Sequence, residues 1–365
     1  MSETSSMLLI GVGTAGSTMA RGVNRAFGEG LRHLLIDTDA VSGNAGGPFV
    51  LIGGDRLSGR GAGGDIVAGR LAAEDSVRSI DEHIEGVRLA VIVTSLGGGT
   101  GGGATLEIAK HLTSHGIPSI VFATTPFAFE GEERHRNARG IMSMIEDVAN
   151  ATFFIQLDKL IQDADIMDEA MRRAVDTVAS GVTLFWRLVE KPGYIRLDTE
   201  RLRHLLAGSG RGRFAAVTVQ GPNRASDAVD LLQRSEMLAA ASGPVSAILC
   251  GVLAGEDLRL SEINIIAEGL RSTFGERHTF ELATVNDEAT FCGRLSVVAM
   301  LFESGNKAES EALGSVMSGR RKKTKGPLGT GPVGRGRFKN AEPTIWNGED
   351  LDIPTFIRRN VNLDF

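Results

Sequence analysis

Six glycines surround one threonine in the run Ser95-Leu96-Gly97-Gly98-Gly99-Thr100-Gly101-Gly102-Gly103, and no other stretch narrows so far what the chain can fold into. Residues 89–94 before it read as a buried parallel strand, and residues 104–111 after it read as a helix. The turn therefore stands at a strand's carboxyl end and a helix's amino end, where unpaired N–H groups and the helix dipole favour an anion. Every glycine in an idle turn costs backbone entropy, so the run implies a ligand that comes close to the main chain. A phosphate chain fits, with the Thr100 hydroxyl as a further donor.

Around this turn the chain alternates short apolar strands with helical stretches. Residues 7–12, 32–36, 89–94 and 119–124 read as strands, the rhythm of an α/β, doubly wound parallel sheet. A polar segment at 158–168 leads into a long helical run, 167–189, stopped by Lys191-Pro192-Gly193 and long enough to act as a spine. Beyond it the order becomes strand 214–220, helix 225–238, strand 247–252, helix 261–273, then strands 278–286 and 296–302, as in a smaller mixed-sheet domain. At 365 residues and 42% hydrophobic, the chain exceeds what one core usually holds, which predicts two modest domains.

The formal charge of −6 argues against a nucleic-acid binder, although charge is uneven along the chain. Residues 1–6 are short, polar and run straight into a strand, unlike a signal peptide, and no stretch reads as a helical membrane span. Cys250 and Cys292 lie in apolar, strand-like contexts and read as small core residues of a reducing, cytoplasmic compartment, without a zinc site. After Ser304 the composition turns to Gly, Pro, Lys and Arg, which predicts a disordered linker. Its basic cluster, Arg320-Arg321-Lys322-Lys323-Thr324-Lys325, reads as part of a solvated spacer. The apolar anchors Leu351, Ile353, Phe356 and Ile357 that follow predict a peptide that folds onto a partner.

Gly11-Val12-Gly13-Thr14-Ala15-Gly16 fits G-x-G-x-x-G after a strand, and Asp37 and Asp39 end the next strand where a ribose-binding acid belongs. Alone, these residues suit an NAD-dependent dehydrogenase. A third loop, Gly59-Arg60-Gly61-Ala62-Gly63-Gly64-Asp65, adds backbone N–H groups, and three such loops favour a nucleoside triphosphate over a dinucleotide. No G-x-x-x-x-G-K-[ST] is present, which excludes a Walker-type loop.

Together these motifs resemble those of FtsZ, the bacterial and archaeal member of the tubulin superfamily, over nearly the whole chain. Gly97-Gly98-Gly99-Thr100-Gly101 resembles the family signature, Asp37-Thr38-Asp39-Ala40 its second-strand motif, and Gly61-Ala62-Gly63-Gly64 its third nucleotide loop. Pro126-Phe127-Ala128-Phe129-Glu130-Gly131 follows the Pro-Phe-x-Phe-Glu-Gly pattern. The tail Asp350-Leu351-Asp352-Ile353-Pro354-Thr355-Phe356-Ile357-Arg358-Arg359 resembles the peptide by which FtsZ binds membrane tethers and regulators.

The resemblance implies a tubulin/FtsZ-like fold and a GTP-dependent, cytoplasmic filament protein of the division ring. It implies GTP or GDP, with phosphate-bound Mg²⁺, against Gly13, Thr14, Ala15, Gly16, Ser17, Thr18, Gly61, Ala62, Gly63, Gly98, Gly99, Thr100 and Gly101. Glu130 would meet the ribose and Arg134 the nucleotide edge. The implied organisation is a GTP-binding domain at 1–166, a spine helix at 167–191, and a second domain at 192–303 that opens with the catalytic loop. A basic linker at 304–343 and a partner-binding peptide at 344–365 complete it.

In the family, GTP held by one subunit is hydrolysed when acids on a loop of the next subunit orient the attacking water. Here that loop is Pro192-Gly193-Tyr194-Ile195-Arg196-Leu197-Asp198-Thr199-Glu200-Arg201-Leu202. Asp198 keeps the first acid, Arg196 replaces an asparagine, Arg201 stands where the second acid belongs, and Glu200 is its nearest substitute. The arginines either stabilise phosphoryl charge or tie the loop to the neighbour's phosphates while hydrolysis slows. Losing one of two acids removes roughly 10²-fold or more of general acid–base catalysis, which predicts a slow GTPase or a GTP-binding filament partner. Thr14, Ala15 and Thr18 replace two glycines and an asparagine of the first loop. The family's base-contacting asparagine aligns with Val175, which leaves the adjacent Asp176 as the acceptor for guanine.

Overall fold

Runs such as Met-Leu-Leu-Ile-Gly-Val and Leu-Ala-Val-Ile-Val-Thr-Ser are apolar at successive positions, which suits strands covered on both faces. A computed structural model of the protein describes residues 6–28, 30–160, 166–197, 199–206, 209–239, 245–275, 279–304, 345–346 and 349–350. In it these runs are the strands Met7–Val12 (β1) and Leu89–Ser95 (β4), buried at every position but the last of β4. His33–Asp37 (β2), Phe49–Leu51 (β3), Ser119–Thr125 (β5) and Ala151–Gln156 (β6) complete the amino-terminal half.

Ser209–Gln220 (β7), Val245–Ala254 (β8), Thr279–Asn286 (β9) and Arg294–Ser304 (β10) extend the same sheet to ten strands, ordered β3-β2-β1-β4-β5-β6-β7-β10-β8-β9. Neighbours run parallel from β3 to β7 and between β8 and β9, whereas β10 is antiparallel to both β7 and β8. This is the expected doubly wound α/β architecture, with a mixed sheet in the second half. Because β1 lies between β2 and β4, strand order reverses there, and sheets of this kind bind ligands in the crevice beyond the carboxyl ends of the strands at that point.

The spine helix spans Met167–Glu190 and buries Ala174, Val178, Val182, Phe185 and Trp186 along one face, each at most 2% exposed. It ends where Lys191 turns extended (φ −89°, ψ 148°), the conformation that a following proline imposes. Its core cluster runs from Met7 to Phe302, so both halves of the sheet share it. Where β6 meets β7, only Thr152↔Arg211 and Phe153↔Gly212 pair. Phenylalanines close the seam: Phe122 stacks on Phe153 and meets Phe214 edge-on, each at 5.1 Å between ring centroids.

Arg187 of the spine is 7% exposed and joins three elements. It donates to the carbonyls of Ala26 (3.3 Å) and Phe27 (3.2 Å) at the end of the helix Gly13–Phe27, and to Asp287 Oδ2 (3.2 Å) beyond β9. Its guanidinium also lies 5.2 Å from the Phe27 ring. A hydrogen bond from the Thr290 hydroxyl, supported by Arg187, holds the Asp287 carboxyl below its usual range.

Several boundaries depart from the sequence expectation. The helix after the glycine run begins at Gly99, five residues before the expected 104, so most of the run is helical. The helix expected at 225–238 divides into Arg224–Gln233 and Glu236–Ala239, with the Ser235 carbonyl accepting from Leu238 and Ala239 N–H to start the second piece. Cys250 is buried in β8, its thiol pushed up to about 12 by desolvation. Cys292, in contrast, is exposed just after the short helix Glu288–Phe291, so it is not a core residue. The linker at 305–343 lies outside the described residues. So does the tail peptide beyond Asp350, which closes a short antiparallel pair, Ile345–Trp346 with Glu349–Asp350.

Two measurements check this reading. A Cβ on Gly103 would lie 2.2 Å from the Ile66 carbonyl oxygen, whereas one on Gly140, mid-helix, meets nothing within 4 Å. Gly103→Ala should cost roughly 1–3 kcal/mol in denaturant unfolding, and Gly140→Ala should be neutral or stabilising by about 0.5–1 kcal/mol. For Asp287, a folded-state pKa below the unfolded one means a contribution complete above about pH 3.9 and lost as pH falls through the folded value. The stability gap between wild type and Asp287→Asn should be widest at neutral pH and narrow below about pH 4; a pH-independent gap would show that the Asp287 charge contributes nothing.

Candidate nucleotide site

Two helices begin at the crevice without a side-chain cap. Gly13–Phe27 starts directly after β1 with Val12 as its N-cap, and Gly99–Ser114 starts after β4 with Gly98 as its N-cap. Their first-turn N–H groups keep the capacity that a capping side chain would have used. The helix Ile66–Ser76 differs, since Asp65 caps it by accepting from Val67 N and Ala68 N. A cavity of about 440 Å³ opens before the two uncapped ends. Gly13, Thr14 and Ala15 line it from the first loop, Gly61, Ala62 and Gly63 from the third, and Gly98, Gly99, Thr100 and Gly101 from the glycine run.

Most glycines of the run are required by packing as much as by a ligand. A Cβ would fall 2.6 Å from Asp65 O at Gly99, 2.1 Å from Ser95 O at Gly101 and 2.2 Å from Ile66 O at Gly103. Gly69 makes the reciprocal approach, its Cβ falling 2.2 Å from Gly99 O, so the helices Ile66–Ser76 and Gly99–Ser114 touch backbone to backbone. Gly98 alone in the run faces open space, with extended backbone (φ −98°, ψ 161°). Gly16 and Ser17 do not reach the cavity wall: Gly16 meets Val93 O of β4, and Ser17 is fully buried. Thr18 is also off the wall and donates to Thr14 O at 2.9 Å.

Asp37, 1% exposed, locks the loops together. It accepts from Thr14 Oγ1 (3.0 Å), Ser42 Oγ (2.6 Å) and Thr38 N (2.8 Å). Both of its oxygens already accept bonds from the chain, so at the cavity edge its first task is to hold the loops together. Thr38 and Thr100 hydroxyls pair at 2.6 Å, and the backbone bonds of Ala40 N to Gly59 O and Gly61 N to Thr38 O fasten the third loop to the second. Glu130 and Arg134 both line the cavity and pair with each other, while the other Glu130 oxygen accepts from Phe127 N at 2.9 Å.

The spine presents Met171, Ala174 and Val175 to this cavity. Asp176 is not brought to it: it lines a separate cavity of about 910 Å³, because neighbouring residues on a helix point about 100° apart. Met171 and Ala174 escaped sequence reasoning, although the spacing of 171, 174 and 175 marks one helical face.

The loop after the spine stands far from this cavity. From Val175 to Glu190 the helix rises roughly 22 Å. The loop is then pinned to β9, with Ile195 N donating to Thr284 Oγ1 (2.9 Å), Thr284 N to Ile195 O (2.8 Å), and a Gly193 Cβ leaving only 1.7 Å to Thr284 O. Tyr194 is 75% exposed. Arg201 forms an ion pair with Glu281 of β9 at 2.6 Å, and Glu200 lies 3.8 Å from Arg88. Asp198 lies outside the described residues.

Residues 6–165 match the profile of the Tubulin/FtsZ family, GTPase domain. The chain is 27% identical to the cell division protein FtsZ of Pseudomonas aeruginosa, over 98% of this chain and 90% of that protein. FtsZ of M. jannaschii, solved as an empty dimer, superposes with a TM-score of 0.77 at 24% identity, covering 83% of this chain and 88% of that one. CetZ2 from Haloferax volcanii, solved as a GTPγS-bound protofilament, gives 0.68 at 22% identity, with 86% and 99% covered. The match over residues 6–165 assigns that segment to the GTPase domain of the Tubulin/FtsZ family, and the superpositions show that the chain as a whole shares the fold of these proteins.

Proposed function

We propose that the chain binds GTP and GDP in the 440 Å³ cavity and polymerises head to tail, so that loop 192–202 of one subunit completes the site of the next. The observation that carries this reading is the roughly 22 Å of spine helix between the cavity and the loop within one chain. If the loop acts on a nucleotide, that nucleotide belongs to a neighbour. Asp198 and Glu200 are the acids proposed to orient the water, which is positioning chemistry with little covalent work. Mg²⁺ would neutralise phosphate charge. Asp39, on the cavity wall with Oδ1 accepting from Val41 N, is the acid proposed to face it, since both Asp37 oxygens and both Glu130 oxygens accept bonds from the chain.

The Arg201–Glu281 pair supports slow hydrolysis, because the arginine in the second acid's place is held by its own subunit. The finer reading is a cytoplasmic protein of the division ring, tethered through residues 350–359 to membrane anchors and regulators. Its support is the likeness of that peptide and the relative's name as a cell division protein. Spine and second domain would then follow the boundaries 167–191 and 192–303.

GTP turnover per subunit, measured with Mg²⁺ as protein concentration rises, tests the shared site. The rate should be near zero below a threshold and then climb, and Asp198→Ala should abolish the climb. Turnover that is negligible at every concentration would instead make the chain a GTP-binding structural partner, and turnover independent of concentration would refute the shared site. Gly98→Ala separates ligand from fold: the unfolding midpoint should stay unchanged while GTP affinity by calorimetry falls about tenfold, or 1.4 kcal/mol. Unchanged affinity would remove the glycine run from the phosphate site.

A further inference from the structure

A cluster of Asp81, His111 and His115 takes no part in the nucleotide site. His111 lies in the last turn of the helix Gly99–Ser114 and His115 is its C-cap residue, four positions on. Their ring centroids are 4.4 Å apart. Asp81 opens the short helix Asp81–Ile84 before β4 and brings Oδ1 to 2.6 Å from His111 Nε2. One ligating atom from each of the three lies within 4.8 Å of the other two. His115 Nδ1–H donates to the His111 carbonyl at 2.9 Å, which fixes the tautomer and leaves Nε2 with its lone pair.

We propose that these three side chains bind a divalent transition-metal ion of the zinc and cobalt class. Two imidazole nitrogens and one carboxylate oxygen suit such ions, whereas Mg²⁺ and Ca²⁺ take oxygen donors throughout. Metal–ligand distances of about 2.0–2.2 Å place tetrahedral ligands roughly 3.3 Å apart. The cluster reaches that spacing by small rotations of Asp81, 47% exposed, and of His115, which is also exposed, around His111, which is only 12% exposed. Water takes the fourth position. A hydrogen bond between Asp81 and His111 and a helix cap by His115 Nδ1 account for these two contacts, but neither accounts for His115 Nε2 or for the two rings standing 4.4 Å apart beside Asp81. The bound ion would clamp the segment before β4 to the far end of the helix whose first turn faces the nucleotide cavity, roughly 24 Å away along its axis.

The test is a Co²⁺ titration of the untagged, metal-free full chain without nucleotide, read by visible absorption. One equivalent should give the d–d bands of a four-coordinate site, displaced by Zn²⁺ and unaffected by excess Mg²⁺. His115→Ala, an exposed position, and Asp81→Asn should each weaken Co²⁺ binding about tenfold or more while GTP affinity stays unchanged. Two results would overturn the proposal: no four-coordinate spectrum in the wild type, or Co²⁺ binding by His115→Ala with undiminished affinity and stoichiometry. Because no nucleotide is present, the result is independent of whether the cavity binds GTP.

Discussion

Backbone-to-backbone contact between the helices Ile66–Ser76 and Gly99–Ser114 is the constraint on which the nucleotide site rests. Gly69, Gly99 and Gly103 leave no room for a Cβ where the two backbones meet, so the helices approach there more closely than a side chain would allow. The third loop, which leads into Ile66–Ser76, is thereby drawn against the glycine run, and Asp37 and the Thr38–Thr100 hydroxyl pair fasten the first and second loops to the same point. The result is a rigid wall of main-chain N–H groups at two uncapped helix ends. Such preorganisation favours phosphate binding because the ordering is complete before the ligand arrives.

The spine helix carries this arrangement to the opposite end of the molecule. Met171, Ala174 and Val175 belong to the cavity, Trp186 to the shared core, and Arg187 to a junction of the first helix, the spine and Asp287. The helix that starts at the first nucleotide loop thus ends on the residue that also holds the second half. Loop 192–202 continues from that junction and is fixed to β9 by Thr284. One continuous set of packed elements therefore links cavity and loop.

Much of this was legible in the sequence, and the failures have physical causes. Strands such as β1 and β4 were readable because parallel strands buried on both faces leave uninterrupted apolar runs. β3 was not, since three residues are too few to show a period. The glycine run lines the candidate cavity, yet its neighbours' carbonyl oxygens, which only the fold brings close, explain why Gly99, Gly101 and Gly103 must be glycine. Asp176 lines another cavity because the Pro192 break fixes a position along the spine but not its face, and one residue of helix turns a side chain by about 100°. Cys292 looked like a strand residue because Phe291 and Leu295 flank it, although the chain turns out of the core between them.

The seam between β6 and β7 divides the sheet unequally. Two residue pairs join these strands, whereas β7 and β10 pair along nearly their whole length. The seam therefore rests on side-chain packing more than on a ladder, with Phe122, Phe153 and Phe214 held in stacked and edge-on geometries. The ten strands nevertheless share one hydrophobic core and belong to one compact unit. If the chain polymerises as proposed, a load between neighbouring subunits would pass from the cavity to the β9-anchored loop through the spine and this line of rings rather than through a long ladder of main-chain hydrogen bonds.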